Sequence, residues 1–313
     1  MYTEELIRQT NAYRIISGEK SRGALSHAYL IVCPDGEYLR EYLKIFAKLI
    51  MCENGDGCGE CRPCRLIEKE AYADCTFYPQ SGNKILTADI DDLIPQTYIR
   101  PLENKTRLFV LSGAENMAAA PQNKLLKTLE EPPANVCILM GATSDYSLLP
   151  TIKSRVKKID VPPFSETALY GALSRELGES EKLRRAVGIS GGKLGAALAA
   201  YGNGATEKTA ALCKKIIKEM KSSKDVAKFI GYIDKDNISD FISVMKNEIM
   251  DMLKAAVSSG TGDCDGYKVG ALLAIEDVLS EKERALAFNA NVQMAADGIL
   301  FSIVEEKFRW QKL

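Results

Sequence analysis

Five short apolar runs, each separated from the next by a stretch with helical spacing, limit the folds open to the first half of this 313-residue chain. They are HAYLIVC (27–33), CTFYP (75–79), RLFVLSG (107–113), VCILMGA (136–142) and VKKIDV (156–161). Between them, EYLREYLKIFAKLIM (37–51), TADIDDLIPQTYI (87–99) and MAAAPQNKLLKTLEE (117–131) carry apolar residues three and four apart, as amphipathic helices do. Strand and helix in alternation predict a parallel sheet with helices on both faces. Asp89, Asp91 and Asp92 fall early in the second helix, which is expected to bend or stop near Pro95, while Pro132 and Pro133 end the third.

After PPF (162–164) the β signal ends. Residues 166–201 hold three short helical patterns that close in GISGGKLGAALAAY, and from about 205 the chain is helical, with DCDGY (263–267) its clearest interruption. The expected layout is α/β and then all-α: an α/β domain over 1–164, a small helical domain over 165–203 and a helical bundle over 204–313.

Composition narrows the function classes. A net charge of −1 argues against a chain whose main task is coating nucleic acid, since that affinity rests on neutralising phosphates, although a local basic face stays open. The first 20 residues include Glu4, Glu5, Arg8 and Arg14 and no apolar core of a secretory signal. No run approaches the roughly 18 apolar residues that span a bilayer, so a cytoplasmic protein without a membrane partner is expected. In that reducing compartment clustered cysteines point to metal rather than disulfides.

The cluster is CENGDGCGECRPC, which places Cys52, Cys58, Cys61 and Cys64 in a C-x5-C-x2-C-x2-C spacing. Two-residue gaps let neighbouring thiolates converge on one ion, and Gly55, Gly57 and Gly59 supply the turns. Four thiolates with no open position describe a closed structural Zn²⁺ site with Zn–S distances of about 2.3 Å, of the kind that folds an otherwise coreless loop. An iron–sulfur cluster and four free surface cysteines are the alternatives; the fourth Cys followed by Pro that is usual for clusters is absent. Cys33, Cys75, Cys137, Cys213 and Cys264 are scattered and read as small apolar residues.

VCPDGEYLREY (32–42) has the strand, turn and helix of a phosphate loop, G-x-x-x-x-G-K-[ST], but not its chemistry. HAYLIVCPDG, the cysteine insert, AENMAAAPQNKLLKTLEEPP and LLPTIKSR follow one another in an order that resembles the delta-prime branch of the bacterial DNA polymerase III clamp-loader family, in the AAA+ class. The specific motifs cover most of residues 1–203; beyond 204 only length and helicity agree. The resemblance implies an AAA+-like sheet domain with a zinc-binding insert at about 52–64, a helical lid and a C-terminal helical collar.

Working ATPases of that family hold the phosphates with a loop lysine and hydroxyl, the metal and water with acids at the end of a core strand, and the γ-phosphate with a lid arginine. Here, after Gly36, the glycine, lysine and hydroxyl positions hold Tyr38, Leu39 and Arg40; the acids are replaced by Ser112 and Gly113, with Glu115 a little further on; and Gly195 stands at the arginine position of GGKLGAAL. Lys193 is the nearest basic substitute and is out of register. Neither ATP binding nor hydrolysis is expected, although Arg40 leaves room for an anion. What survives is Ser154–Arg155 of LLPTIKSRV, with Val156 at the family's Cys; the resemblance implies that Arg155 acts in trans, as an arginine finger on a neighbouring subunit's ATP site.

The implied protein is a non-hydrolysing partner of gamma/tau-type and delta-type subunits in a hetero-oligomer that loads a sliding clamp on primed DNA. An active gamma/tau-type ATPase and a zinc-dependent nucleic-acid-binding module are the other readings. His27, the only histidine, is expected to pack or cap at its strand start. The lysines of KKIIKEMKSSKDVAK (214–228) read as a solvated helix face, and Trp310 as a bundle-core or subunit-contact residue.

Overall fold

A computed structural model describes residues 2–82, 84–202, 205–220, 222–235, 237–258, 262–287 and 291–311. They form two compact units: the chain up to Glu179 with Gly192–Gly195, and Ser180–Gly191 with the chain from Ala196. The boundary expected near 204 falls on 203 and 204, outside the described residues.

The first unit opens with α1 (Tyr2–Arg8) and α2 (Asn11–Ser21), neither of which the apolar pattern had singled out. β1 (Ala28–Val32) leads into α3 (Leu39–Met51) and the short α4 (Arg62–Glu68). Then come β2 (Cys75–Tyr78), α5 (Thr87–Thr97), β3 (Arg107–Ser112), α6 (Ala119–Glu130), β4 (Val136–Ala142), α7 (Pro150–Lys153), β5 (Lys157–Asp160) and α8 (Glu166–Leu177). The sheet order is β2-β3-β4-β1-β5 and every pairing is parallel.

Burial explains the runs. β4 lies between β1 and β3 and is buried at all seven positions, which is why VCILMGA has no polar alternation; on the edge strand β5 only Ile159 is buried. One face packs Leu30, Phe109, Leu111, Ile138 and Met140 against Ile90 and Leu93 of α5 and Leu125 and Leu129 of α6. On α3, ten of thirteen residues are buried, so the helix is clamped nearly all round, and each Leu, Ile or Phe so buried contributes about 1.5–3 kcal/mol. α5 runs through Pro95 to Thr97, so the proline does not stop it; the ring removes one helical N–H bond, to the Asp91 carbonyl, and the helix ends two residues later. With all five strands parallel, the segments after β1, β3 and β4 emerge on one edge, where open α/β sheets bind ligands.

The second unit is helical: α9 (Glu181–Ile189), α10 (Leu194–Gly202, whose first two residues belong to the first unit), α11 (Ala205–Glu219), α12 (Ser223–Val226), α13 (Ile238–Ser258), α14 (Val269–Ala287) and α15 (Val292–Gln311). The DCDGY interruption is a two-strand hairpin, β6 (Asp263–Cys264) with β7 (Tyr267–Lys268). Ile216, Phe241, Met245, Ile249, Leu272, Ile299 and Ile303 build its core. Trp310 packs on Gly270 so closely that a Cβ there would lie 2.5 Å from the indole ring, which makes it part of the bundle's own packing. Among the described residues no helix is long and apolar enough to cross a membrane.

Candidate functional site

The cysteine knuckle is assembled by the ends of two helices. Cys52 is the C-cap of α3 and Cys61 the N-cap of α4, so both leave their helices with extended backbone aimed at one point. All four Sγ atoms lie within 4.8 Å of one another, with Cys52 and Cys61 at 3.9 Å. Tetrahedral coordination at about 2.3 Å requires S–S separations of about 3.8 Å, so the set fits one ion. The backbone N–H of Cys58 donates to Cys52 Sγ at 3.3 Å and that of Cys61 to Cys58 Sγ at 3.4 Å. Burial pushes the Cys52 thiol up, but the N–H groups converging on it outweigh this and bring it down to about 6. The Cys61 N–H draws Cys58 down as well, whereas burial raises Cys64.

The loop is pinned from the N-terminal helices. Tyr13 Oη donates to Asp56 O at 2.6 Å, Arg8 to Gly57 O at 2.8 Å, and Lys20 Nζ to the carbonyls of Leu49 and Cys52 at 2.8 and 2.6 Å. Gly57 sits at φ +64 with a would-be Cβ 3.2 Å from the Leu49 backbone, so no other residue fits there without strain. From the far side Asn104 donates to Met51 O at 3.0 Å, and its loop hangs on buried Asp74, which accepts the N–H groups of Leu102, Glu103 and Asn104 at 2.7–2.8 Å.

At the carboxyl edge of the sheet the phosphate-loop scaffold is filled with acids. Asp35, 4% exposed, accepts from Tyr42 Oη at 2.8 Å and from the Gly195 N–H at 3.1 Å. A Cβ on Gly195 would meet Glu37 Oε2 at 2.6 Å and Asp35 Oδ1 at 2.9 Å, so no arginine fits there without displacing both carboxylates. A Cβ on Gly36 would meet the Thr143 methyl at 3.1 Å; Thr143 in turn donates to Glu115 Oε1 at 2.7 Å, and Glu115 Oε2 is buried with no hydrogen-bond partner among the described residues. Burial and the Asp35 carboxylate hold the Tyr42 phenol far above its usual range, and burial lifts Tyr38 to about 12 and the Cys33 thiol to about 11.

Leu39, at the position of a loop lysine, is buried at 2% exposure. Arg40 is engaged: it grips Glu70 through Nε at 2.8 Å and Nη2 at 2.5 Å, and Nη1 donates to Pro79 O at 3.3 Å. Ser112 ends β3, Gly113 follows it in the left-handed region, and Lys193 is exposed.

Arg155 follows α7 on the surface of the same unit. Nη1 donates to Thr151 O at 3.0 Å and to Ser154 Oγ at 3.1 Å, and Nη2 pairs with Glu130 at 2.6 Å. Its side chain is 32% exposed and that of Glu130 48%. Glu130 is the last residue of α6 and Glu131 its C-cap, two acids at the negative end of a helix, so a guanidinium there is electrostatically welcome.

The family model described as DNA polymerase III, delta subunit, matches residues 8–165, half of the chain. The chain belongs to this family. Among its relatives, the DNA polymerase III subunit delta' of Haemophilus influenzae is 30% identical over 185 residues, 58% of this chain and 57% of that protein. The delta' of Pseudomonas aeruginosa is 26% identical over 291 residues, 87% of this chain and 89% of that one. The tau subunit of Bacillus subtilis is 25% identical over 175 residues, 55% of this chain but only 31% of its own length. A solved gamma subunit-related protein from Thermotoga maritima covers 95% of the chain and 98% of its own, at 18% identity and a TM-score of 0.44. The parallel sheet domain followed by helices is the AAA+-like layout that the motifs implied for a member of this family.

In this family member the residues that define the corner chemically are ones the motif comparison passed over. Asp35 and Glu37 flank Gly36 and are two acids in a loop shaped to hold phosphate, a signal present in the sequence itself. The Asp35–Gly195 bond spans 160 residues and Arg155–Glu130 joins two separate elements; no local pattern announces either. His27 is exposed at the start of β1, and its carbonyl accepts from the Ile138 N–H at 2.8 Å.

Proposed function

We propose that this chain is a non-hydrolysing, delta-prime-type subunit of a DNA polymerase III clamp loader. It assembles with gamma/tau-type and delta-type subunits in a hetero-oligomer that places a sliding clamp on primed DNA. In this reading residues 1–164 are the AAA+-like domain, 165–203 the lid and 204–313 the collar through which subunits associate. Cys52, Cys58, Cys61 and Cys64 hold one structural Zn²⁺, and Arg155, steadied by Ser154, reaches a neighbour's ATP site in trans.

The observation that carries the non-hydrolysing assignment is the carboxylate-filled corner. A triphosphate at the start of α3 would meet Asp35, Glu37 and Glu115, with Leu39 buried where a lysine is needed and Arg40 committed to Glu70. Phosphoryl transfer depends on positive charge placed around the transferred group, and this corner supplies the opposite sign. Arg155 by contrast is a surface guanidinium held by one exposed carboxylate and two oxygens, with N–H donors left over for a phosphate.

The test is reconstitution with gamma/tau-type and delta-type subunits, a sliding clamp and primed DNA. The purified chain alone is expected to show no ATP turnover; turnover would favour the gamma/tau-type reading. Arg155→Ala is expected to assemble normally and to silence the one ATP site it serves, an effect on the order of 10³-fold at that site and a partial loss for the whole complex. Unchanged complex activity would remove Arg155 from this role.

A further inference from the structure

The lysine-rich stretch of the second unit keeps Lys214, Lys215 and Lys218 on the exposed face of α11, and part of that face borders a groove. Residues 208–236 carry eight lysines against four carboxylates in a chain of net charge −1. Three of the lysines, Lys208 and Lys215 on α11 and Lys228 after α12, converge on a groove of about 580 Å³ that they share with Leu212, Phe229 and Tyr232. Phe229 is buried, whereas Tyr232 keeps 61% of its surface exposed. Its segment is fixed: the Asn237 side-chain amide donates to Tyr232 O at 2.9 Å, and the Asp234 N–H donates to Asn237 Oδ1 at 3.0 Å. The exposed ring therefore stands on an ordered turn beside two solvent-facing ammonium groups.

The charges facing the groove differ in availability. Lys228 Nζ pairs with Asp225 Oδ1 at 2.6 Å and is neutralised within the unit, while Glu219 also lines the groove and offsets part of the remaining charge. Lys208 and Lys215 are exposed and make no ion pair among the described residues. Two lysines outside any ion pair, an apolar floor and an exposed aromatic face match a short stretch of single-stranded nucleic acid, with phosphates over the lysines, away from Glu219, and a base on the ring. A duplex offers no base face to Tyr232.

We infer that this groove binds single-stranded nucleic acid, through Lys208 and Lys215 to phosphate and Tyr232 to a base. The site is modest, and its salt dependence is set by two lysines. At about 0.7 per neutralised phosphate on a single strand, log affinity falls by about 1.4 per decade of salt, or about sevenfold between 50 and 200 mM. It lies wholly within the second unit and does not rest on the clamp-loader reading.

The experiment titrates the full chain with a fluorescent dT oligonucleotide across that salt range, with a glutamate-rich peptide as competitor. Lys208→Ala/Lys215→Ala is expected to flatten the salt slope by about 1.4 while the melting temperature stays unchanged, since both side chains are exposed. Tyr232→Ala is expected to weaken binding about fivefold or more at every salt concentration without changing the slope, and Tyr232→Phe to restore it. An unaltered slope in the double variant, no loss in Tyr232→Ala, or no binding by the wild type overturns the inference. So does a peptide that binds in place of the oligonucleotide and depends on the same residues, which would make the groove a protein-docking site.

Discussion

The cysteine knuckle and the phosphate-loop corner both hang on α3, one at each end of the helix, and they have kept opposite things. At the C-terminal end the ligand set is complete and the loop around it has no core of its own: four thiolates, three glycines and a few bonds from Tyr13, Arg8 and Lys20. At the N-terminal end the strand, turn and helix are present, and Leu39, Arg40, Asp35 and Glu37 stand where the proposed reading puts a lost phosphate site. On the proposed reading, a scaffold buried in a sheet domain needs no ligand, because β1 and α3 pack regardless, whereas a loop centred on an ion ties its cysteines to its fold.

That contrast can be broken most severely at the knuckle. Cys52→Ser/Cys64→Ser, or removal of metal by a strong chelator, is expected to give the largest effect: loss of about one zinc per chain by elemental analysis and a fall in melting temperature of many degrees. Structural zinc contributes on the order of 10 kcal/mol of apparent binding free energy at neutral pH, so the loop unfolds without it. Iron, or no metal, in the purified protein would end the zinc assignment.

A smaller loss is expected from Asp35→Ala. It removes a buried acceptor and strands the Tyr42 hydroxyl and the Gly195 N–H, a cost of about 2–3 kcal/mol read by urea denaturation. A change below about 0.5 kcal/mol would show that the corner does not depend on its carboxylate. The smallest expected effect is none at all. Millimolar ATP with Mg²⁺ should leave the melting temperature of the wild-type chain where it was, whereas occupancy at a hundred times Kd would add about 2.7 kcal/mol. A clear upward shift would restore the corner as a nucleotide site.

The strands were legible because full burial on both faces writes itself as continuous apolar runs, as in VCILMGA. The knuckle was legible because its ligands are close in sequence. α1 and α2 were not: much of what they contribute is polar, with Arg8, Tyr13 and Lys20 reaching backbone carbonyls some thirty to fifty residues away, and such bonds leave no periodic trace. The lysines of α11 show the same limit from another side. Their spacing fits a solvated helix, and only Phe229, Tyr232 and Asn237, brought beside them, make a groove of it. Arg155 was picked out by its motif, whereas its counter-charge Glu130 depended on where α6 ends.

The bond from Gly195 to Asp35 has one more consequence. A nucleotide reports its own concentration: a pocket that needs one is empty when supply falls and full when it rises. A carboxylate attached to the chain is always present, and its loss of freedom was met once, on folding. On the proposed non-hydrolysing reading, the corner that in an ATPase would follow the energy charge of the cell is deaf to it, held in one state by an anion that never dissociates.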